Sequence, residues 1–285
     1  MPLDNSRVGE PIGSIAVVCD ARWLMAFAAA VPDERPELYD TTAALVTHPL
    51  FPVAPEWELL VTQQSTSQAM TPGEMRRGVH ATHDVIVERS LIAGETVLVT
   101  ATVAAVDRCR AGAVQHLIFE ATDTAGQPVW RTRFSSLFRG VELQGEPTVA
   151  DIAWPQPPRR LSTSDTAVAS RRSWVRPIDA HVYTECARIW NPIHTDVAIA
   201  RGAGLDYPIL HGTATLARAV SIVTELAGIP ISEVNRVLGS FSAMVQLGSS
   251  IDVQIVEITG PALHFVVLND QGARAVRDGV VVARE

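Results

Sequence analysis

The spacing of apolar positions along the 285-residue chain changes from a helical to a strand-like period, and does so twice. Residues 1–20 are rich in turn formers. Residues 21–31 are rich in Ala, Leu, Met and Phe and predict a short helix. A second helix is expected around Pro55, because proline suits a first helical turn. Beyond it, runs rich in Val, Thr, Ile and Phe are separated by turn residues such as Gly94 and Gly112, which predicts an antiparallel meander. The four predicted strands span residues 83–88, 96–106, 114–122 and 129–138.

The same order of elements returns in the second half of the chain. A strand from Ser173 precedes a helix at about residues 179–189. The longest helix is predicted from Gly212 to Ala227, because its apolar residues recur at helical spacing along one stripe. Gly228 is expected to end that helix. Four further strands close the chain, at residues 236–247, 251–258, 262–269 and 275–284.

A proline-rich segment without apolar periodicity separates the two halves and predicts an extended linker at residues 149–172. We therefore expect one domain at residues 1–148 and a second at residues 173–285. Each domain has the plan of a helix laid against a curled antiparallel sheet, so the two halves are interpreted as copies of one α+β unit.

Composition narrows the class of protein. Apolar residues make up 47% of the chain and charged residues 19%, which is enough to bury a full core. The net charge of −8 leaves no basic surplus for a nucleic-acid partner. The scattered Cys19, Cys109 and Cys186 indicate reduced thiols and a cytoplasmic location. No signal peptide is expected, and no uncharged apolar run reaches the roughly 18 residues of a membrane helix.

Two motifs of the second half carry groups suited to carbonyl chemistry. Asn191-Pro-Ile-His194-Thr-Asp196 places a histidine after a rigid Asn-Pro corner, and His211-Gly212 opens the predicted long helix. A histidine exchanges protons near neutral pH. The N-terminus of a helix stabilises negative charge that develops on an oxygen atom.

These motifs are similar to the signature of MaoC-like (R)-specific enoyl-CoA hydratases. The first half resembles the related dehydratase half through Tyr39-Asp40, His80-Ala-Thr-His83 and Leu91-Ile-Ala-Gly94-Glu95. The resemblance implies a double hotdog, in which two fused hotdog folds join their sheets edge to edge. It also implies chemistry at the 2,3-bond of an acyl thioester. In that chemistry His194 would act as the acid/base, Asn191 as the corner residue and the Gly212 N–H as an oxyanion donor.

One expected group is missing from the second-half motif. The family places an aspartate five residues before its histidine, and that position here is Ile189, which neither accepts a proton nor orients a water molecule. Glu185 lies one helical turn earlier and is expected on the same face, so it is the first candidate to replace the aspartate. Asp196 and Asp179 are weaker candidates.

Four further side chains of the second half are candidates for substrate contacts. Trp190 and Tyr183 suit the wall of an acyl tunnel, although large aromatic residues more often belong to a core. Arg188 suits an acidic group of a substrate, although an arginine near a helix end is usually solvated. His211 belongs to the same set, and Asn191 also has the ordinary role of a turn former.

The first half contributes two pairs of residues to the interpretation. Asp33 holds the place equivalent to Ile189, with Tyr39 standing instead of the histidine, and the pseudo-twofold is expected to send Asp33 to the opposite site. His80 and His83 belong to one strand-like stretch and are expected to face the same side of it. Since no third ligand accompanies them, no metal is expected.

The sequence therefore predicts a lyase of the hydratase/dehydratase type, with chemistry altered by Ile189. Two alternatives stay open: a conjugate-addition cyclase, whose substrate brings its own hydroxyl, and a non-catalytic acyl-binding partner subunit. The expected substrate is an acyl thioester of CoA or of a carrier protein. No cofactor, nucleic acid or membrane is expected, and a homodimer is compatible with the pattern.

Overall fold

The structure is a computed structural model that describes residues 3–64, 70–162, 164 and 166–284. Its strands, in chain order, are β1 (Leu3–Asp4), β2 (Pro11–Val18), β3 (Gly78–Val87), β4 (Thr96–Cys109), β5 (Gly112–Asp123), β6 (Pro128–Arg139), β7 (Leu143–Gln144), β8 (Thr148–Val149), β9 (Ala169–Val175), β10 (Val234–Phe241), β11 (Ser249–Thr259), β12 (Ala262–Leu268) and β13 (Arg274–Ala283). The α-helices are α1 (Ala21–Ala30), α2 (Val53–Gln64), α3 (Pro72–Met75), α4 (Asp179–Ala187), α5 (Val197–Gly202) and α6 (Gly212–Ala227). Three short 3-10 helices span Pro36–Leu38, Pro192–His194 and Ile231–Glu233.

One antiparallel sheet runs through both halves of the molecule. Among the described residues its strands follow the order β2-β4-β5-β6-β3-β10-β13-β12-β11-β9, with β8 added against β4. The order of the first five strands is repeated in reverse by the last five, which is the arrangement of two identical units related by a twofold axis. The fold is therefore a double hotdog of the α+β class, as the sequence predicted.

Each half of the sheet curls around one helix. In the first half α2 packs on β2 and β4, and in the second half α6 packs on β9 to β13. Helix α6 begins at Gly212 and ends at Ala227, as predicted, and Gly228 caps it in the left-handed conformation with φ of 66°. Gly239 of β10 lets α6 approach closely, since a Cβ atom there would stand 2.8 Å from a methyl group of Leu216.

The two half-sheets join where β3 pairs with β10. On the outer face of this seam, Asp84 and Arg236 form a buried bidentate ion pair, with distances of 2.8 Å from Nε to Oδ1 and 2.7 Å from Nη2 to Oδ2. The linker closes over the pair. The Trp154 indole N–H donates to Asp84 Oδ2 at 2.8 Å, and the carbonyl groups of Pro155 and Gln156 accept from Arg236.

Several elements differ from the sequence-based expectation, among them β10, which ends at Phe241 and not at residue 247. Residues 11–18, expected to be turn-rich, form strand β2, which is mostly exposed at the sheet edge and therefore lacks a strong apolar alternation. Strand β9 begins at Ala169, inside the predicted linker, because it pairs with β11 from that residue onward. The four-residue helix α3 was not among the predicted helices.

The described part of the chain has no helix that is both long and apolar enough to cross a bilayer. Between β8 and β9, residues 150–162, 164 and 166–168 form neither helix nor strand, whereas residues 163 and 165 of the predicted linker lie outside the described part. The domain limits at residues 148 and 173 stay predictions.

The ion pair at the seam makes a direct prediction about stability. Asp84→Leu or Arg236→Leu alone should lower the free energy of unfolding by about 3–5 kcal/mol, because the remaining charge stays buried without its partner. Urea denaturation of each variant measures this loss. The double variant should lose clearly less than the sum of the two single variants. If each single variant lowered the free energy of unfolding by less than about 1 kcal/mol, the pair would behave as an exposed ion pair. The predicted contribution of the pair to stability would then be wrong.

Candidate functional site

The end of α4 positions the first residues of the site. Arg188 adopts a left-handed conformation with φ of 58°, and both its N–H and that of Ile189 bond to the Thr184 carbonyl group. The chain therefore reverses direction after Ala187 instead of continuing as a helix. Ile189 is 4% exposed and packs in the core, whereas Glu185 is exposed on the helix surface. The expectation that Glu185 shares a face with Ile189 is wrong, because helical spacing does not extend past Arg188.

The Asn-Pro corner is a capped 3-10 turn. The Asn191 side chain accepts a hydrogen bond from the Ile193 N–H at 3.5 Å, and Pro192 occupies the first helical position. Asp196 caps α5 by accepting from the N–H groups of Ala198 and Ile199. Both polar side chains therefore hold the backbone that carries His194, and Asp196 is not free to replace the missing aspartate.

His194 is held as one tautomer. Its Nδ1 lies 2.9 Å from the carbonyl oxygen of Ile209, and because a carbonyl only accepts, Nδ1 carries the hydrogen. In the neutral ring Nε2 then presents a lone pair. Burial lowers the pKa of His194 to about 4, an effect that the hydrogen bond to Ile209 partly opposes. The side chain is therefore a neutral imidazole at pH 7 with one basic nitrogen.

His211 stacks on His194 and links it to the start of α6. The two ring centroids are 3.6 Å apart with planes inclined by 25°, and His211 Nε2 lies 3.3 Å from the Thr184 hydroxyl oxygen. Burial, followed by the proximity of His194, holds the pKa of His211 well below its usual value, while the backbone of Ile189 acts in the opposite direction. Ile189 thus borders the histidine pair.

Gly212 follows His211 as the first residue of α6, so the positive end of this helix lies beside the stacked histidines. No side chain caps this helix end. A Cβ atom on Gly212 would stand 3.0 Å from the ring of Phe241, which explains why the smallest residue is found there. The arrangement combines a neutral base with backbone N–H groups that can face an oxyanion.

The other predicted contact residues divide between the core and the surface. Tyr183 is fully buried, packs on Phe27 and donates its hydroxyl hydrogen toward Thr213 Oγ1 at 3.1 Å. Its ring centroid lies 5.0 Å from that of His211, so Tyr183 is a core residue that borders the histidine pair. Trp190 is 59% exposed on the surface. The Arg188 guanidinium lies 3.9 Å from the ring centroid of Trp23 in α1, a cation–π contact between the two halves.

Asp179, the third candidate carboxylate, is engaged in a buried ion pair. Its Oδ2 lies 2.7 Å from Arg218 Nη2, and its Oδ1 lies 2.6 Å from Arg176 Nε. Burial alone would raise the pKa of Asp179, but these two arginines keep it below the usual value. The Asp179 carboxylate therefore connects α4 to α6 through an ion pair.

The first half contains a second copy of the motif. When the 3-10 helix Pro36–Leu38 is aligned with Pro192–His194, Asp33 aligns with Ile189, as predicted. The residue that aligns with His194 is Leu38 and not Tyr39. Tyr39 instead corresponds to Thr195, as the residue after the turn.

Asp33 lies beside the C-terminal half of α6. It is bonded by Arg35, and Ser221 also lies within its hydrogen-bonding reach. Since Ser221 is nine residues beyond Gly212, the separation along the helix is about 13 Å. The expectation that Asp33 serves the opposite site is in keeping with this position.

His80 and His83 face the same side because the strand that carries them is irregular between the two residues. An irregularity between His80 and Thr82 in the pairing of β3 with β6 brings the two rings to 5.4 Å, although residues three apart in a regular strand face opposite sides. His80 also contacts Phe241, the neighbour of Gly212. Within the described residues, no group of three or more His, Cys, Asp or Glu side chains could hold a metal ion.

Comparison with known proteins agrees with this geometry. Residues 6–132 match the family model described as FAS1-like, dehydratase domain region, and residues 158–264 match the model described as MaoC like domain. A search of curated proteins finds no match.

Several solved structures share the fold. A MaoC-like dehydratase from Phytophthora capsici is 20% identical with a TM-score of 0.81, and the alignment covers 98% of each chain. The peroxisomal multifunctional enzyme type 2 of Drosophila melanogaster is 20% identical with a TM-score of 0.76, covering 95% of this chain and 48% of the enzyme. A Mycobacterium tuberculosis protein described as having a double hotdog fold is 12% identical with a TM-score of 0.63, covering 95% of each chain.

The fold and the two motif-bearing halves define a double-hotdog protein of the dehydratase type. The second half carries a MaoC-like dehydratase domain and the first half a FAS1-like dehydratase region, and together they form the double-hotdog fold of the MaoC-like dehydratases.

The protonation state of His194 can be measured directly. In NMR titrations of ¹⁵N-labelled protein, its ring should stay neutral until the pH approaches about 4, because burial disfavours the imidazolium. Ile189→Asp should raise this pKa, since a neighbouring carboxylate stabilises the charged ring. A His194 ring that titrates near pH 6.5 in the wild type would contradict the assigned environment.

Proposed function

We propose that the protein is a hydratase/dehydratase-type lyase acting on the 2,3-bond of an acyl thioester, linked to CoA or to a carrier protein. The observation that carries the proposal is the fixed tautomer of His194, which presents the Nε2 lone pair beside the N-terminus of α6. His194 Nε2 would exchange the proton at C2. The Gly212 end of α6 would hold the thioester oxygen as negative charge develops on it.

The absence of a carboxylate at Ile189 limits which reactions this pair can catalyse. Hydration needs a group that orients and deprotonates water, and dehydration needs an acid that protonates the departing hydroxide. Neither is provided by an isoleucine. We therefore propose altered chemistry, in which the nucleophile needs no carboxylate to position it.

A conjugate-addition cyclase satisfies this requirement. The substrate's own hydroxyl oxygen would bond to C3 while its proton passes to His194 Nε2, and His194 would then return that proton to C2. One histidine serves both transfers, and no water enters or leaves. The tether between hydroxyl and alkene supplies the proximity that a positioned water would otherwise need.

A non-catalytic acyl-binding partner subunit is the second candidate. It is favoured by the low pKa of His194, which makes its imidazole a weak base, together with the loss of the aspartate. Such a subunit would bind an acyl thioester without converting it.

A spectroscopic assay separates these functions. The wild type is incubated with crotonyl-CoA and with a 2-enoyl thioester bearing a remote hydroxyl, and the loss of enoyl absorbance is followed. We expect turnover of the hydroxylated substrate and little of crotonyl-CoA, with His194→Ala slower by at least about 100-fold. Ile189→Asp should gain activity on crotonyl-CoA. His264→Ala, which removes a histidine of β12 that pairs with Glu257 of β11, is the control and should keep the wild-type rate.

The outcomes distinguish the proposals. Rapid wild-type hydration of crotonyl-CoA would remove the argument for altered chemistry. Binding of both thioesters without turnover, unchanged by His194→Ala, would favour the partner subunit.

Gly212→Ala tests the oxyanion position separately. The added methyl group meets the Phe241 ring and shifts the helix start, so the rate should fall by at least about tenfold while the protein stays folded. Gly202→Ala is the control, because a Cβ atom at Gly202 has no neighbour within 4 Å. Equal rates for the two variants would argue against an oxyanion role for the start of α6.

A further inference from the structure

A cavity of about 480 Å³ lies in the first half of the molecule, where the start of α2 meets the beginning of β10. Its volume is within the range of small-molecule sites. The walls come from both halves: the segment before α2, the loop after β3, the start of β6, and the residues that follow α6.

The cavity is separate from the His194 site. Its second-half wall includes Ile231 and Val234, which follow the C-terminal end of α6, whereas His194 and His211 lie at the N-terminal end. On its other side the wall includes His48, which contacts Ser221 of α6, nine residues and therefore about 13 Å along the helix from Gly212. A ligand in this cavity would not contact the reacting atoms of a substrate at His194.

The interior of the cavity is largely apolar. Phe51, Leu91, Val129 and Trp130 form buried parts of the wall. Ile92 also lines the cavity and is 65% exposed, so an apolar side chain is left in water near its rim. His48 is present but satisfied, since its Nδ1 accepts from the Leu50 N–H and its Nε2 contacts Ser221 Oγ. These walls suit a hydrocarbon chain.

Two arginines line the cavity, and among residues 3–284 that the structure describes an acidic partner is found for Arg89 alone. Arg89 bonds to the carboxylates of Glu95 and Asp123. Arg284 donates only to carbonyl oxygens, those of Ser232 at 2.9 Å and Val87 at 3.1 Å, and has no acidic partner among the described residues. Arginine keeps its charge at all physiological pH values. Within the described residues, the cavity therefore combines a cation that has no acidic partner with an apolar interior.

A second polar group in the wall lacks a partner. The Thr47 hydroxyl oxygen is buried and forms no hydrogen bond within the described part of the chain. Thr47 lines the same cavity as Arg284. A buried hydroxyl without a partner costs free energy that a bound polar group would recover.

We propose that this cavity binds a medium-chain fatty acid or a similar apolar carboxylate. The hydrocarbon chain lies against Phe51 and Trp130, and the carboxylate accepts hydrogen bonds from Arg284. The site is distinct from the His194 site, and the proposal does not rest on the reaction proposed there.

Isothermal titration calorimetry with octanoate, octan-1-ol and octanoyl-CoA tests the proposal on the full chain. Octanoate should bind the wild type at least about tenfold more tightly than octan-1-ol. Both ligands bury the same hydrocarbon chain, and only octanoate also forms hydrogen bonds through a charged group. Arg284→Gln should reduce octanoate to the affinity of octan-1-ol, and Arg284→Lys should keep part of the preference. Ala43→Trp, at the exposed rim, should weaken both ligands.

Two comparisons locate the ligand. His194→Ala should leave octanoate binding unchanged, whereas a loss in this variant would place octanoate at the other site and overturn the proposal. Octanoyl-CoA lacks a free carboxylate, so any binding it shows should be insensitive to Arg284→Gln. Equal affinities for octanoate and octan-1-ol, or no effect of Arg284→Gln on a folded protein, would also overturn it.

Discussion

The buried ion pair between Asp84 and Arg236 fixes how the two halves of this protein meet. Moving two charges out of water is costly, and the cost is offset only when geometry and hydrogen bonding are nearly complete. Here the pair is bidentate, and the linker adds the Trp154 N–H and two carbonyl groups. A shift of register between β3 and β10 would leave both charges buried without partners. The ion pair therefore specifies one register for the junction.

The register between β3 and β10 also determines where the start of α6 lies at the candidate site. It sets Gly239 opposite His83 and places Leu216 of α6 over Gly239. Two residues further along β10, Phe241 packs against Gly212, the first residue of α6. The position of the helix start, and with it the donors that can face an oxyanion, thus depends on strand pairing at the seam. His194 is coupled to the same point through its stack on His211.

Local signals predicted the fold well and the site only in part. Helix α6 was predictable to the residue, because Gly212, Gly228 and an apolar stripe are encoded within one stretch of chain. Contacts such as His48 with Ser221, 173 residues apart, leave no local signal. The Glu185 expectation failed for a different reason: it extended helical spacing through Arg188, whose left-handed conformation redirects the chain. Arginine carries no clear sequence signal for that conformation, whereas glycine would have done so.

The two halves have lost complementary parts of one motif, and this constrains the chemistry that remains. The first half keeps the carboxylate of Asp33, which is neutralised by Arg35, but has Leu38 at the histidine position, whereas the second half keeps His194 but has Ile189 at the aspartate position. When His194 takes a proton, the imidazolium is buried with no carboxylate at position 189, so the developing oxyanion is its natural counter-charge. Separating the two would be costly in a low dielectric. Returning the proton to the same substrate avoids that cost, which favours internal addition over elimination.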